Sequence, residues 1–205
     1  MSLLSVDFFR RDALPVARDL LGKHLVQGAV RLRITEVEAY RWPNDSANHA
    51  CAGHTRRNSS MWGAPGRAYV YLCYGIHHLL NVVTGPNGEP AAVLIRGCEP
   101  LEGLSEIEAR RSPIRGTALL NGPGKIGSAL QLSLDWDGHD FTQPGGLELH
   151  DAPFEPAVIS GPRVGIDFAS DEHRNAHWRL AIQGSPWVGH RNKLCAHDPT
   201  LPQPR

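Results

Sequence analysis

No run of apolar residues in this chain approaches the roughly 18 that a membrane-spanning helix needs, which excludes that class. Residues 1–7 carry neither a basic start nor a long apolar core, so no secretory signal is expected. Cysteine is sparse: Cys51, Cys73, Cys98 and Cys195 are the only 4, widely scattered, and free thiols are expected rather than a disulfide framework. The chain has no P-loop, no GxGxxG, no paired CxxC and no HExxH, so the common nucleotide and zinc signatures are missing. Acidic residues are absent from the whole of residues 46–88, although acids and bases balance at 21 each over the chain. That zero net charge argues against a protein that coats nucleic acid by bulk basicity. The acid-free segment, with Arg56, Arg57, Arg67, His49, His54, His77 and His78, either faces phosphates or is solvated surface.

What is present fits a folded protein. Hydrophobic content is 41% and charged content 20%, and 205 residues suffice for one domain with a substantial core. Asp12 is placed to cap a helix over residues 13–21, with Gly22 ending it. Val30, Leu32 and Ile34 alternate as a strand does, whereas residues 42–66 are rich in Gly, Pro, Ser and Asn and read as a long irregular loop. Residues 67–73 and 76–84 read as strands joined at Tyr74-Gly75, a hairpin with Tyr74 at its tip. Gly85-Pro86-Asn87-Gly88 is a turn, and residues 91–96 form another strand. Helices are expected from Ser105 to Arg111 and from Pro123 to Leu130, and late strands over 163–166 and 177–183. Residues 195–205 are expected to fray. Hairpins with helices set apart from them predict an α+β fold: a single compact domain, residues 1–205, with a curved antiparallel sheet, a protruding β-hairpin and surrounding helices.

Glu38 is the most informative position. By strand periodicity, the face carrying Val30, Leu32 and Ile34 continues through Glu36, Glu38 and Tyr40, which aims carboxylates where apolar side chains pointed. Such a group is costly unless paired, hydrogen-bonded or at a cavity rim, and chemistry is a common reason to keep it. Three of the 4 tyrosines, Tyr69, Tyr71 and Tyr74, fall in one segment and the fourth is Tyr40. They either pack the core and sheet or stack flat rings beside the carboxylate. A bulky ring at a hairpin apex has little core to enter and suits insertion among stacked bases. Glu36 and Glu38, roughly 7 Å apart by strand rise, also admit a paired-carboxylate glycosidase reading, or a structural role for one of them. Cys51-x-x-His54 and His173-x-x-x-His177 have metal-ligand spacing without a partner set, and no metal site is expected. Asn121-Gly122-Pro123-Gly124-Lys125 reads as a helix start whose amides are available to a phosphate.

Several blocks taken together resemble a known family. They are Thr35-Glu36-Val37-Glu38-Ala39-Tyr40, Asp45-x-Ala47-x-His49, Arg57-Asn58, Pro65-Gly66, Tyr69-Val70-Tyr71, Tyr74-Gly75, Asn81, Leu94-x-Arg96, Glu99-Pro100, Asn121-Gly122-Pro123-x-Lys125, Arg163-Val164-Gly165 and Gly184-Ser185-Pro186-Trp187-Val188. In that order they resemble the alkyladenine (3-methyladenine) DNA glycosylase family. The resemblance implies a monofunctional base-excision repair enzyme that flips alkylated or deaminated purines, 3-methyladenine and also hypoxanthine or ethenoadenine, out of duplex DNA and hydrolyses the N-glycosidic bond. By position it implies Glu38 as the water-activating acid with Arg96 beside the water, and Tyr74 as the intercalating residue. Tyr40, His49 and Tyr71 would hold the base, with Ala47, Asn81, Leu94 and Val164 around it. It implies no cofactor, damaged duplex DNA as partner, water as nucleophile, no membrane, a monomer, and a location in the cytoplasm (the bacterial nucleoid) or the nucleus. Residues 76–78, Ile-His-His, are more polar than their mammalian counterparts. A non-catalytic nucleic-acid binding module and a carbohydrate glycosidase are the rival readings, with a zinc deaminase a third.

Overall fold

A computed structural model of the chain describes residues 1–196. The chain opens with α1 (Val6–Phe9) and α2 (Ala13–Leu20). Asp12 caps α2 as expected, its carboxylate accepting from the Leu14 N–H at 2.9 Å. Ala13, Val16, Ala17 and Leu20 form the buried face, and Gly22, at φ 86°, turns the chain away.

The strands are β1 (His24–Gln27), β2 (Val30–Tyr40), β3 (Ala68–Cys73), β4 (His77–Thr84), β5 (Ala91–Glu102), β6 (Leu147–His150), β7 (Val158–Gly161), β8 (Arg179–Ile182) and β9 (Cys195–Ala196). Every pairing is antiparallel, in the order β3-β4-β5-β2-β8-β7-β9, with β1 joining β2 to β6. The helices that follow are α3 (Leu104–Arg110), α4 (Pro123–Ala129) and α5 (Asp171–Asn175). α2 packs against β2 and β5, and α4 against β4 and β5. One core of Phe9, Leu20, Leu25, Leu32, Ile34, Leu80, Phe141 and Trp178 lies between these layers. This is the expected α+β architecture with one open antiparallel sheet.

Several local expectations are corrected. Residues 163–166 are not a strand. The Arg163 guanidinium is drawn onto Asp45, the Val164 N–H is given to the Glu38 carboxylate rather than to a ladder, and Gly165 takes φ 78°, which breaks the extended run. The neighbouring strand is instead β7, and β8 is shorter than the 177–183 expected. Ser105 does not cap α3; Gly103 does, at φ 77°, where an added Cβ would come within 2.8 Å of the Ala29 carbonyl oxygen. The irregular loop holds one 3₁₀ stretch, Arg56–Trp62, closed by reciprocal hydrogen bonds of Thr55 and Asn58. The tail expected to fray from Cys195 begins with β9, paired to Ser160 and Ile159; its remainder lies outside the described residues.

The largest correction concerns the face that carries Glu38. Between Ile34 and Glu36, β2 advances two residues while β5 advances one; between Glu36 and Val37, β5 advances two while β2 advances one. These facing bulges leave the overall register unchanged but reverse the phase of both strands. Val30, Leu32 and Ile34 enter the core before the bulge, and Val37 and Ala39 after it; on β5 the core set changes from Cys98 to Ile95, Val93 and Ala91. Glu36, Glu38 and Tyr40 therefore point to the opposite face from Ile34. Gly97 sits in the bulge, where a Cβ would meet the Trp187 carbonyl oxygen at 2.6 Å and Glu36 Cβ at 2.9 Å.

Candidate active site

Glu38 has no exposed side-chain surface. Its Oε2 accepts from the Tyr40 hydroxyl at 2.9 Å, its Oε1 from the Val164 N–H at 2.8 Å, and Arg96 Nε lies 3.4 Å from Oε1. A carboxylate buried this way is tolerable because two donors and a cation replace its water. Glu36 is held still more tightly. Its Oε1 accepts from Arg96 Nε at 3.1 Å and from an Arg179 guanidinium nitrogen at 3.3 Å, and its Oε2 from the Gly189 N–H at 2.8 Å. Two carboxylates and two guanidinium groups thus balance in charge beneath the sheet's functional face. Burial disfavours the Arg96 cation, but Glu38 and Glu36 together outweigh it and hold the group above its ordinary range. For Arg179 burial wins over Glu36, and the direction is downward. Because Glu36 serves as counter-ion to Arg96 and Arg179, the two-carboxylate glycosidase reading lacks a second free acid.

Tyr40 joins this charged floor to an open cavity. Its ring lies 4.6 Å from the Arg163 guanidinium carbon, and the ring of Trp178 lies 4.8 Å from that same carbon. Arg163 also makes a two-pronged, fully buried bridge to Asp45 and donates to the Ala39 carbonyl at 2.9 Å. Asp45 in turn accepts from the Arg41 and Ala47 N–H groups, which fixes the start of the long loop. Burial, then the Glu38 charge, push the Tyr40 hydroxyl well above its ordinary range, so it stays protonated and donates to Glu38.

A second aromatic group stands on β3. Tyr69 and Tyr71 stack at 5.2 Å, and His49 meets Tyr71 edge-on at 4.6 Å. His49 Nδ1 is 2.8 Å from the Tyr69 hydroxyl, and Asn58 holds the His49 carbonyl at 3.0 Å. Burial, then the Arg57 charge, lower the His49 pKa, keeping the imidazole neutral near pH 7. Burial raises the Tyr71 hydroxyl in the same way. The rings themselves are uncharged, but Tyr71 and Tyr40 already face cations, the Arg57 guanidinium carbon at 5.7 Å and that of Arg163 at 4.6 Å.

Tyr40, Ala47, His49, Tyr71, Tyr74, Leu94, Arg96 and Val164 all border one cavity of about 770 Å³, within the range of small-molecule sites. Asn81 donates to the Tyr69 carbonyl at 3.0 Å and borders a small adjoining recess with Tyr69, Met61 and Ala92. Glu38 borders neither space; it reaches the cavity through Tyr40, Arg96 and Val164. A larger groove of about 1080 Å³, lined by Phe8, Arg11, Leu14, Arg18 and Phe154 among others, contains none of these residues. Tyr74 occupies the β3–β4 turn at 87% exposure and φ 51°, followed by Gly75 at φ 71°. Both central positions of this turn require positive φ, and Ile76 N–H closes it onto the Cys73 carbonyl at 3.1 Å.

The possible metal pairs have other partners. His173 Nδ1 sits 3.0 Å from the hydroxyls of Ser46 and Ser170, Cys51 donates to the Ser46 carbonyl, and the His54 ring lies against Trp62. Among the described residues no three His, Cys, Asp or Glu side chains gather as a ligand set. Arg67, counted above among the basic groups, is paired with Asp140. Sequence reasoning missed Arg179 and the role of Asp45, and it named Tyr69 only as one of the clustered tyrosines. The signal for Arg179 was legible: a cation inside Trp178-Arg179-Leu180-Ala181-Ile182 needs a buried anion, and Glu36 lies between Ile34 and Val37 on another strand.

The site is thus an acid sunk beneath an aromatic cavity, with a ring projecting from a hairpin at its edge. The family model for methylpurine-DNA glycosylase matches residues 7–186, and the chain belongs to that family. It is thus a DNA glycosylase. A protein of Nitrosococcus oceani named for 3-methyladenine DNA glycosylase is 57% identical over 94% of this chain and 96% of its own length. The DNA-3-methyladenine glycosylase of Arabidopsis thaliana is 52% identical, covering 92% of this chain and 74% of that protein. A relative from Methanocella arvoryzae, named like the first, is 43% identical over 93% of this chain and 98% of its own. No described helix is long and apolar enough to cross a membrane.

Proposed function

We propose that this enzyme flips 3-methyladenine, and with it hypoxanthine or ethenoadenine, out of duplex DNA and releases the base by attack of a Glu38-activated water. The observation that carries the reading is the contact of Glu38 with Tyr40: a sealed carboxylate one hydrogen bond from a ring that walls a cavity of about 770 Å³, roomy enough for a purine. A base inside a duplex is out of reach, so its nucleotide rotates outward at a cost of a few kcal/mol, less for a lesion that pairs poorly. Tyr74 fills the gap. The extruded base lies against Tyr71, His49 and Tyr40, each stacking contact contributing about 1–3 kcal/mol.

The carboxylate's two accepted hydrogen bonds leave lone pairs for a water, which a shift of Tyr40, Arg96 or Val164 has to admit because the side chain is sealed. The water oxygen bonds to C1′, its proton passes to Glu38, and the C1′–N bond breaks with its electron pair going to the base. The ionised Glu38 also stabilises the positive charge that gathers on the sugar, with Arg96 restraining its orientation. A cationic alkylpurine leaves as a neutral base, whereas hypoxanthine or ethenoadenine has to take up a proton from solvent on its ring to leave neutral as the C1′–N bond breaks. The protein acts alone, as a monomer and without a cofactor, at the nucleoid or in the nucleus.

The deciding assay uses a duplex with one 3-methyladenine, ethenoadenine or hypoxanthine, with EDTA present. Glu38→Gln is expected to keep lesion binding and to lose about 10²–10⁴-fold in single-turnover base release. Release at the wild-type rate would overturn the assignment. Binding without release by the wild-type protein would favour a non-catalytic module instead.

A further inference from the structure

Phe168 is 73% exposed, one of the most solvent-accessible large apolar side chains in the protein, yet it borders the same cavity as Tyr74. Its surroundings are not those of a loose surface loop. On its N-terminal side, Arg163 is locked to Asp45, the Val164 N–H is bonded to Glu38, and Ile166 is buried. On its C-terminal side, Ala169 is buried against Ile166 and Ala47, its N–H bonded to the Ile166 carbonyl at 2.9 Å. The Ser170 N–H then donates to the Ser46 hydroxyl at 3.0 Å, and His173 ties both serines together. A segment pinned at both ends to the catalytic floor thus holds a phenyl ring out into water, where it contributes almost nothing to folding.

The topology adds a direction. Tyr74 comes from the β3–β4 hairpin, on one side of the β5–β2 pair in the sheet order. Phe168 comes from the connection after β7, on the other side, beyond β8. The two exposed rings therefore reach one cavity from elements at opposite ends of the sheet order. Phe168 is also tethered through Val164 to Glu38, the group beside the sugar in the reading above.

We propose that Phe168 is a second DNA-contacting aromatic, which packs against the nucleotide flanking the extruded purine and holds the strand in register over Glu38. It is a positioning residue, and the proposal rests on the glycosylase reading. Its ring supplies apolar contact to base and sugar without reading sequence, as base-stacking platforms do. Tyr74 keeps the gap filled; Phe168 steadies the neighbouring strand.

The test compares wild-type protein with Phe168→Ala and Phe168→Trp on duplexes bearing one ethenoadenine, with 2-aminopurine placed beside the lesion on either side. Phe168→Ala is expected to leave the melting temperature unchanged, because the ring is exposed. It should weaken lesion-duplex binding by roughly 5- to 150-fold, as loss of one stacking contact does. It should also abolish the fluorescence change of one of the two flanking reporters. Phe168→Trp should restore both. Wild-type affinity and an unchanged reporter signal in Phe168→Ala, with base release intact, would overturn this proposal alone. Failure of the wild-type protein to bind or cleave any lesion would overturn the glycosylase reading and this inference with it.

Discussion

Tyr74 holds a backbone conformation that its side chain does not favour. A left-handed non-glycine residue costs about 1–2 kcal/mol, and the ring at the tip buries almost nothing in return. Tyr74→Gly should therefore leave folding stability equal or slightly higher in denaturant titrations while lesion affinity and base release fall. Unaltered lesion affinity would remove the wedge role. His49 makes a different kind of prediction. Its pKa is depressed below the ordinary 6.5, so the neutral ring is favoured by the fold. The stability it contributes is complete above pH 6.5 and is lost as pH falls through the lowered value, because the unfolded chain takes up the proton first. Unfolding free energies measured between about pH 8 and pH 5 should fall more steeply for wild-type protein than for His49→Gln. Parallel curves would show that His49 does not titrate as described.

Two elements owe their placement to close backbone approach. α4 crosses β4 through Gly124 and Gly127: a Cβ on Gly127 would fall on the His78 carbonyl oxygen, and one on Gly124 would meet the His77 ring at 2.7 Å. α4 thereby sets the root of the hairpin that carries Tyr74. Gly127→Ala should cost about 1–3 kcal/mol as an overpacked contact, read from the unfolding midpoint, and should impair lesion binding as the hairpin shifts. An unperturbed midpoint would mean the helix can slide without moving β4. The β3–β4 hairpin and α2 were legible because their signals are local: alternation and a tip dipeptide for one, a capping Asp and a following Gly for the other. The short strands β1, β6 and β7 were not, since four residues gain strand character from the neighbour they pair with. The segment 163–166 failed for the converse reason, its apolar look hiding donors committed to Glu38 and Asp45.

At the scale of the molecule, zero net charge leaves association with DNA to the distribution of charge around one cavity. Arg57 and Lys125 both border it, and the 46–88 segment brings no acid to oppose them. Replacing either with Ala should lower the slope of log affinity against log salt by about one, and weaken damaged and undamaged duplexes alike. An unchanged slope would place that side chain away from phosphate. The candidate site was largely legible as a list of residues, through the run around Glu38, the clustered tyrosines and the family resemblance. Its geometry was not: the sealed carboxylate, the Glu36–Arg96–Arg179 counter-ions and the rings flanking Arg163 join segments far apart in the chain.

Local chemistry written in the residues alone determined which stretches turn, cap and alternate, and which acid and rings are out of place in an apolar pattern. The side of the sheet on which Glu38 lies was decided only by tertiary structure. A pair of facing bulges in β2 and β5 reverses the phase of both strands, and a bulge depends on what the partner strand offers, here Gly97 opposite Glu36. Pattern along one strand carries no record of its neighbour, so the face that meets the cavity could be settled only once the strands were paired.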